Sequence, residues 1–356
     1  MPNDRTTGVS DAANTTSGVE SDAAGLDETP AVDDAPAASA APTKVLYFGG
    51  YSRSGSTLFD RMLGQIRSFT STGELAYVWT HGVADNRLCG CGTPFHDCAF
   101  WRQVGERAFG GWDKVDVSEM VTLYQRVNRH RYLPFLIFPR LSRRYAGALR
   151  AYGDVLARLY AAIAEADGSG VVIDSSIDPA YGFLLRHVPG LDLRVVHFVR
   201  DSRGTAFSWM RKVVRNDVVN EQVYMPTFHP GTTALRWTAY HLLLHLLGRM
   251  GVPSLRVRYE DVVARPREQV AQVAQFLDEE IEGKVDLGSF RPGEFELAAN
   301  HTVAGNRMRL HQGAVAVRVD DEWRRAMPER HRRLVTILSW PLLRRYGYVG
   351  GRAAGS

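Results

Sequence analysis

The sequence predicts an α/β fold of three layers, in which a mainly parallel central sheet is flanked by helices and carries a helical insert. Four short apolar runs recur along the chain, and a segment with helical periodicity follows each of them. Each run is almost continuously apolar, which is typical of a strand buried on both faces. Strands that alternate with helices form right-handed crossovers, so these strands are expected to lie parallel and to collect ligands at their C-terminal ends.

The predicted strands and helices follow one another in a simple order. The first strand covers residues 44–49, and a glycine-rich loop joins it to a helix that begins near Thr57. The later pairs of strand and helix are 171–174 with 179–188, 193–199 with 205–214, and 254–259 with 267–277. Residues 75–168 are richer in helix signals, and they are predicted to form the insert that shapes one side of the ligand site.

The composition of the chain predicts one folded domain between two tails. With 356 residues, 45% of them hydrophobic, the chain has enough apolar material for a sizeable core. Residues 1–43 contain no aromatic side chain and are rich in small and acidic residues, so they are predicted to form a disordered acidic tail. Residues 44–349 are predicted to form a single domain, followed by a short tail at 350–356.

The predicted domain is basic. The acidic tail contains eight Asp and Glu residues against Arg5 alone, which leaves 42 basic and 31 acidic residues in the rest of the chain. This balance fits an anionic ligand, although a basic surface also serves solubility. The basic residues are scattered among helices, so no nucleic-acid partner is expected. The chain has neither an apolar stretch as long as a membrane span nor a secretory signal, which predicts a cytoplasmic protein without a transmembrane segment.

The loop after the first strand has the composition of a phosphate-binding loop. It reads GGYSRSGST over residues 49–57, and small residues of this kind let backbone N–H groups converge at a helix N-terminus. The NTP-binding pattern is matched at Gly50, Gly55 and Thr57, but Ser56 stands where that pattern has its lysine. The fold is therefore predicted to be P-loop-like without the lysine of ATP and GTP enzymes. A tight strand-to-helix turn with a capping hydroxyl would explain the glycines without a ligand.

Two motifs resemble those of sulfotransferases that use 3'-phosphoadenylyl sulfate (PAPS). RSGSTL at 53–58 resembles the loop that holds the 5'-phosphosulfate in that family. RDSR at 200–203, with Ser208 eight residues after Arg200, resembles the family's 3'-phosphate motif, although an exposed helix start with an Asp N-cap would explain it alone. The resemblance covers most of residues 44–349, and it is to the bacterial members and also to the tyrosylprotein sulfotransferases.

The resemblance implies a donor site assembled from several segments. Lys212 resembles a further basic position, Tyr259 the tyrosine beside the adenine, and residues 301–309 a flexible loop that folds over the nucleotide. A solvated lysine and a strand-end aromatic are the ordinary alternatives for the first two. The residues that the resemblance assigns to the donor are Arg53, Ser54, Gly55, Ser56, Thr57, Arg200, Ser208, Lys212, Tyr259, Asn306 and Arg309.

The resemblance also implies an enzyme that moves a sulfuryl group from PAPS to a hydroxyl of a small-molecule, glycoside or lipid acceptor. Glu74 is the candidate base, because related enzymes carry a glutamate there, and His81 is the alternative. Ile177 stands where many relatives carry a lysine near the transferred group, so Arg53 would carry more of the leaving-group charge. A cation and an N–H cradle supply most of such catalysis, and no metal is required.

All three cysteines fall within ten residues, at Cys89, Cys91 and Cys98, with His96 between them. Three thiols and one imidazole can hold a zinc ion. This spacing is tighter than in most zinc sites, so buried free thiols are the favoured interpretation. Disulfides are not expected in a cytoplasmic chain with an odd number of cysteines.

Two other classes of function remain open at this stage. A P-loop kinase or another ATP-dependent enzyme would share the glycine-rich loop, and Ser56 in place of the lysine argues against it. A non-catalytic nucleotide-binding module would also share both phosphate motifs, and dispensability of Glu74 would favour it.

Overall fold

The structure is a computed structural model that describes residues 41–350 except 213, 216–222, 225, 287, 289 and 292. Most of the predicted acidic tail, residues 1–40, lies outside the described residues, as do residues 351–356 of the predicted C-terminal tail. Among the described residues, no helix combines the length and the apolar character that crossing a membrane requires.

Strands and helices alternate through most of the described chain. The strands are β1 (Thr43–Gly49), β2 (Phe69–Ser71), β3 (Val171–Ile177), β4 (Leu191–Val199), β5 (Val214–Arg215), β6 (Val223–Tyr224), β7 (Ser254–Arg258), β8 (Phe290–Arg291), β9 (Glu294–Leu297) and β10 (Gly313–Ala316). The helices are α1 (Ser56–Leu63), α2 (Ala99–Phe109), α3 (Val117–Val127), α4 (Leu133–Ile137), α5 (Arg143–Asp167), α6 (Pro179–Leu185), α7 (Ser202–Met210), α8 (Pro230–Arg249), α9 (Tyr259–Ala264), α10 (Pro266–Phe276), α11 (Trp323–Ala326) and α12 (Glu329–Arg345).

The central sheet has five parallel strands in the order β2-β3-β1-β4-β7. The strand β1 lies in the middle, and the chain turns from one half of the sheet to the other between β3 and β4. A small antiparallel sheet of β8, β9 and β10 and the antiparallel pair of β5 and β6 accompany it. The predicted α/β class with a mainly parallel sheet between helices is confirmed.

Both faces of the central sheet are largely buried along the inner strands β1, β3 and β4, as the continuous apolar runs predict, whereas the edge strand β7 exposes Ser254 and Arg256. Along β1, Val45 and Tyr47 belong to the core on one face, and Leu46 and Phe48 belong to the core on the other. All four side chains are fully buried. Successive side chains of a strand point to opposite faces, so a strand between two helical layers must be apolar at every position.

The structure corrects several of the predicted elements. The fifth strand, β2, was not predicted, because a strand of three residues is too short to show a periodic pattern. The predicted strand 254–259 ends at Arg258, because Tyr259 opens α9. The helix predicted at 205–214 is α7, which begins at Ser202 behind the N-cap Asp201 and ends at Met210.

Candidate active site

The C-terminal ends of the five parallel strands lie along one edge of the central sheet, and each end carries a residue that the sequence analysis singles out. Arg53 follows β1, Glu74 follows β2, Ile177 ends β3, Arg200 follows β4 and Tyr259 follows β7. Ligands of open parallel sheets bind at this edge, outside the carboxyl ends of the strands. The predicted residues are therefore brought to the part of the fold where a ligand is expected.

The phosphate loop requires glycine at position 55 for two reasons. Gly55 has φ 90°, in the left-handed region that side chains with a Cβ rarely adopt. A Cβ at this position would also lie only 2.6 Å from Cδ2 of Tyr259. The ring of Tyr259, which is buried, thus packs directly against the turn that leads into α1. This contact joins the predicted adenine-side residue to the predicted phosphosulfate loop.

The start of α1 offers unsatisfied hydrogen-bonding groups. No side chain caps this helix at Gly55, so its first N–H groups point into the loop. The Ser54 hydroxyl is 2% exposed and has no hydrogen-bond partner among the described residues. Buried hydroxyl groups are normally paired, and N–H groups at a helix start favour an anion. These groups therefore fit the phosphosulfate that the family resemblance implies.

Arg53 and Arg200 lie next to one another at the C-terminal ends of the central strands. Arg200 donates from Nη1 to the backbone oxygen of Arg53 at 2.7 Å and from Nη2 to Asp320 Oδ2 at 2.8 Å. Its guanidinium lies over the ring of Tyr259, 4.9 Å from the centroid. Burial and the nearby charge of Arg200 lower the pKa of Arg53 from its usual value. Two cations held together in this way favour an anion between or beside them.

Among the other residues of the second phosphate motif, Arg203 has a structural role, whereas Ser208 and Lys212 lie nearer the surface. Arg203 donates to both oxygens of Asp201, at 2.9 and 2.6 Å, and lies over the ring of Trp323. Arg203 therefore fixes the start of α7. Ser208 is half-buried near the end of α7, and Lys212 is exposed just beyond that helix. Their contact with the nucleotide stays a prediction.

Glu74, the predicted base, lies beside the phosphate loop. A Cβ placed on Gly305 would lie 3.8 Å from Oε1 of Glu74 and 3.9 Å from Oγ1 of Thr57. Gly305 therefore lies between the carboxylate and the loop, and its position is exposed to solvent. Burial, followed by the charges of Asp174 and Asp60, raises the pKa of Glu74 to about 7, while Arg309 acts in the opposite direction. A carboxyl group with such a pKa can exchange a proton near neutral pH.

The segment that contains Gly305 is fastened to the sheet and to α1. Its backbone pairs with the residues before Glu74, through Val303 N to Thr72 O at 2.8 Å and Glu74 N to Ala304 O at 3.2 Å. The buried Arg61 of α1 donates to the backbone oxygens of four residues in this region, namely Ala298, Met308, Arg309 and His311. Sequence reasoning missed Arg61, because nothing near it in the chain indicates its distant acceptors.

Two residues predicted to contact the nucleotide also hold this segment. Asn306 caps the short helical turn Arg307–Leu310 by accepting from Met308 N at 3.2 Å. Arg309 is buried and donates to Thr302 O at 2.9 Å and to Leu88 O at 2.7 Å. Both residues are thus engaged in local structure, and their predicted role at the nucleotide stays a prediction.

Two buried aspartates near Glu74 were assigned no role in the sequence analysis. Asp60 accepts from Ser71 Oγ at 2.6 Å and from Ser175 Oγ at 2.7 Å, and Asp174 accepts from Tyr160 at 2.5 Å. Burial raises the pKa of each carboxyl group to about 6. The bonds of Asp60 join α1 to β2 and β3, and the bond of Asp174 joins β3 to α5. Their negative charge contributes to the raised pKa of Glu74.

A wall of aromatic and polar groups lies near Glu74. His130 contacts Asp178 Oδ1 through Nε2 at 2.9 Å and lies 3.3 Å from the hydroxyl of Tyr240, and the bond to Asp178 raises the pKa of His130. Tyr77 is 42% exposed and stacks on His81, with 5.0 Å between the ring centroids. A cavity of about 340 Å³ adjoins this wall, lined by Ala76, Tyr77, Trp79, Thr80, His81, Asp85, Arg87, Val121, Tyr124 and Gln125.

The cysteine cluster differs from the set that the sequence indicates. Sγ of Cys89, Cys91 and Cys98 lie together with a ring nitrogen of His301, all within 4.8 Å of one another. His96 is not part of the group, because its Nε2 contacts the backbone oxygen of Val83 at 3.0 Å. The expected histidine is therefore wrong, and the fourth member comes from a distant part of the chain.

The structure has an α/β architecture with a P-loop-like turn after its first strand, and this turn lacks the loop lysine of NTP-hydrolysing enzymes. Residues 176–309 match the sulfotransferase domain family. The matched segment contains the RDSR motif, Tyr259 and the segment 301–309, and a sulfotransferase domain implies an enzyme that uses PAPS as its donor. No curated protein sequence matches the chain significantly.

Several solved structures are similar to this chain. The sulfotransferase domain from the curacin biosynthetic pathway is 14% identical, with a TM-score of 0.45 over 85% of this chain and 99% of that one. The sulfotransferase domain of the Synechococcus PCC 7002 olefin synthase is 18% identical, with a TM-score of 0.46 over 85% of this chain and 97% of that one. A sulfotransferase from Mycobacterium avium is 14% identical, with a TM-score of 0.37 over 67% and 65%.

Proposed function

We propose that this sulfotransferase moves the sulfuryl group of PAPS to a hydroxyl of a small-molecule, glycoside or lipid acceptor, with Glu74 as the base. The position of Glu74 carries the proposal. Its carboxylate and the Thr57 hydroxyl of the phosphate loop flank the same glycine, Gly305. A hydroxyl group bound beside Gly305, within reach of both groups, would have the sulfur on one side and a proton acceptor on the other.

The proposed reaction is a single in-line displacement. The acceptor oxygen forms a bond to sulfur while the bond between sulfur and the bridging 5'-phosphate oxygen breaks. The hydroxyl proton passes to the carboxylate of Glu74, and 3'-phosphoadenosine 5'-phosphate leaves with the electron pair of the broken bond. Arg53 and the N–H groups at the start of α1 would stabilise the charge on the leaving oxygen. Arg200 and Ser208 would hold the 3'-phosphate.

The side chain of Ile177 affects how that charge is stabilised. Ile177 is buried, and its Cγ2 would lie 3.5 Å from a Cβ on Gly50 of the phosphate loop. An apolar side chain therefore packs against the loop where many relatives carry a lysine. In this chain Arg53 would therefore stabilise more of the charge on the leaving oxygen. Its guanidinium lies over the ring of Trp209.

The aromatic and polar side chains beside Glu74 support a particular class of acceptor. The Tyr77 and His81 rings offer a stacking surface, and the pair of His130 and Asp178 offers hydrogen bonds. The cavity beside these rings is lined in part by Ala76, Trp79 and Val121, so apolar surface is available to an acceptor as well. This combination favours a partly apolar acceptor with a ring or a hydrocarbon portion over a fully charged one.

The test is transfer of ³⁵S from labelled PAPS to a panel of phenols, steroid alcohols, glycosides and hydroxylated lipids. We expect a labelled product with at least one of these classes, and loss of that product in Glu74→Gln with unchanged binding of 3'-phosphoadenosine 5'-phosphate. Glu106→Gln, an exposed position on α2, is the matched control and should retain transfer. Full activity of Glu74→Gln would exclude Glu74 as base, and His81→Gln would then be the variant to examine.

A further inference from the structure

Three of the six separations between the ligand atoms of Cys89, Cys91, Cys98 and His301 match those of a tetrahedral zinc site, and all six are within 4.8 Å. Sγ of Cys91 and Sγ of Cys98 are 3.7 Å apart. Nδ1 of His301 is 3.4 Å from Sγ of Cys98 and 3.7 Å from Sγ of Cys89. Tetrahedral zinc has bonds of about 2.3 Å to sulfur and about 2.0 Å to nitrogen, which sets ligand separations of about 3.8 Å and about 3.5 Å. The three measured separations agree with these values.

We propose that Cys89, Cys91, Cys98 and His301 bind one structural Zn²⁺ ion. Three thiolates and a neutral imidazole complete a tetrahedron, so this site leaves no position for water or substrate and its role is structural. Binding releases three thiol protons and leaves a cluster with one net negative charge. None of the four ligands is one of the predicted donor residues, and the ion would take no chemical part in the transfer of the sulfuryl group.

The backbone around the cysteines has the form of a metal-binding knuckle. Cys89 N donates to Thr93 O at 2.7 Å, and Gly92 N donates to Cys89 O at 2.9 Å, which closes a tight turn between the first two thiols. Gly92 supports this turn with φ 92°. The turn directs the sulfur atoms of Cys89 and Cys91 to the same side, where a single ion can bind both.

The position of the fourth ligand is fixed by its neighbours. The ring of Phe100 stacks on the ring of His301, with 4.6 Å between centroids and 13° between the planes. Trp101 Nε1 donates to the backbone oxygen of His301 at 3.0 Å, and Gly90 N donates to Thr302 O at 2.9 Å. Contacts that orient a ligand in this way are a regular feature of metal sites.

Free thiols and a disulfide account less well for this arrangement. Free buried thiols would explain the burial of Cys89 and Cys98, but they do not require an imidazole nitrogen to face two sulfur atoms. A disulfide between Cys91 and Cys98 would leave Cys89 and His301 without a role in the cluster. One tetrahedral ion explains all four members.

The proposed ion would join the helical insert to the segment that faces Glu74. The three thiols lie in the insert, whereas His301 stands four residues before Gly305, which lies beside both Glu74 and Thr57. A structural ion at this place would act as a cross-link between these two parts of the chain. Its loss should lower the melting temperature and weaken the positioning of the segment 301–309.

The test is the metal content of the full-length chain, purified without a polyhistidine tag and dialysed into metal-free buffer. We expect about one zinc per chain by mass spectrometry. Titration with a mercurial reagent should release this zinc as three thiols react. Cys98→Ser and His301→Gln should each contain at least tenfold less zinc. His96→Gln is the matched control, because His96 lies among the cysteines in sequence but outside the cluster, and it should retain the ion.

Cobalt gives a readout that does not depend on the folding of variants. The wild-type chain, stripped of zinc under reducing conditions and supplied with Co²⁺, should show the intense absorption of tetrahedral cobalt with thiolate ligands. Zinc should displace the cobalt and abolish this absorption. The proposal is overturned if the reduced wild-type chain binds neither ion, or if His96→Gln loses the metal while His301→Gln keeps it.

Discussion

Arg200 donates a hydrogen bond from Nη1 to the backbone oxygen of Arg53, at a distance of 2.7 Å. This bond connects the two motifs that resemble the phosphate sites of sulfotransferases, and it does so because their strands, β4 and β1, are neighbours in the central sheet. The geometry of the phosphate loop thus depends on the residue assigned to the other phosphate. Substitution of Arg200 should accordingly affect both ends of the donor site.

We predict that Arg200→Ala weakens binding of 3'-phosphoadenosine 5'-phosphate by about 1.5 to 3 kcal/mol, which is about 10- to 150-fold in Kd. The reason is the loss of a charged donor to phosphate together with its bond to the loop. Titration calorimetry measures the change. Arg211→Ala, which removes an exposed arginine paired with Glu322, is the control and should bind normally. An unchanged Kd in Arg200→Ala would move the 3'-phosphate site elsewhere.

For a substitution of Asp320 we predict the opposite effect, tighter binding of the bisphosphate. Its carboxylate accepts from Nη2 of Arg200 at 2.8 Å and therefore occupies a donor that a phosphate group could use. We predict that Asp320→Asn tightens binding of the bisphosphate several-fold, since the neutral amide competes less strongly for the guanidinium. The measurement is the same titration at constant ionic strength. Weaker binding in this variant would mean that Asp320 positions Arg200 for the nucleotide.

Gly55→Ala should lower the free energy of unfolding by more than the backbone strain at this position alone would. An alanine at φ 90° costs about 1 to 2 kcal/mol, and the clash with the ring of Tyr259 adds about 1 to 3 kcal/mol. Gly251→Ala is the matched control, because its φ is 94° and a Cβ there has no atom within 4 Å. Urea unfolding should show a larger loss of stability for Gly55→Ala. Equal losses in both variants would contradict the close packing of Tyr259 on the loop.

The raised pKa of Glu74 predicts the pH dependence of transfer. A base must be ionised, so activity should fall as pH decreases through about 7, approaching a tenfold loss per pH unit below it. Glu74→Gln should lower kcat by about 10² to 10⁴-fold and remove this limb from the profile of kcat/KM. A limb near pH 7 that persists in Glu74→Gln would assign it to another group, and His81 is the first to test.

The features predicted from sequence are those that lie together along the chain. The phosphate loop and the RDSR motif are contiguous, and four strands of the central sheet show as apolar runs, so each could be identified from local pattern alone. The motifs and the predicted fold class together indicate that Arg53, Glu74 and Arg200 follow the ends of strands. The strand β2 was missed because three residues carry no periodicity.

The features that were missed depend on distant parts of the chain. His301 approaches Cys98 across 203 positions of sequence, so the nearby His96 was the natural but wrong choice for the fourth member of the cluster. The bonds of Arg61 to the segment beyond residue 298 and the pairing of Asp320 with Arg200 are equally remote in sequence. Such contacts form when helices and strands pack against one another. The local sequence pattern around either residue does not indicate them.

The most direct test of the central claim is a calorimetric titration of the purified chain with 3'-phosphoadenosine 5'-phosphate, repeated in the presence of ATP and magnesium. The account predicts micromolar or tighter binding of the bisphosphate, which ATP with magnesium competes against only weakly, because the phosphate loop has Ser56 where ATP enzymes have lysine. Tight binding of ATP with no response to the bisphosphate would contradict the assignment of PAPS as the donor.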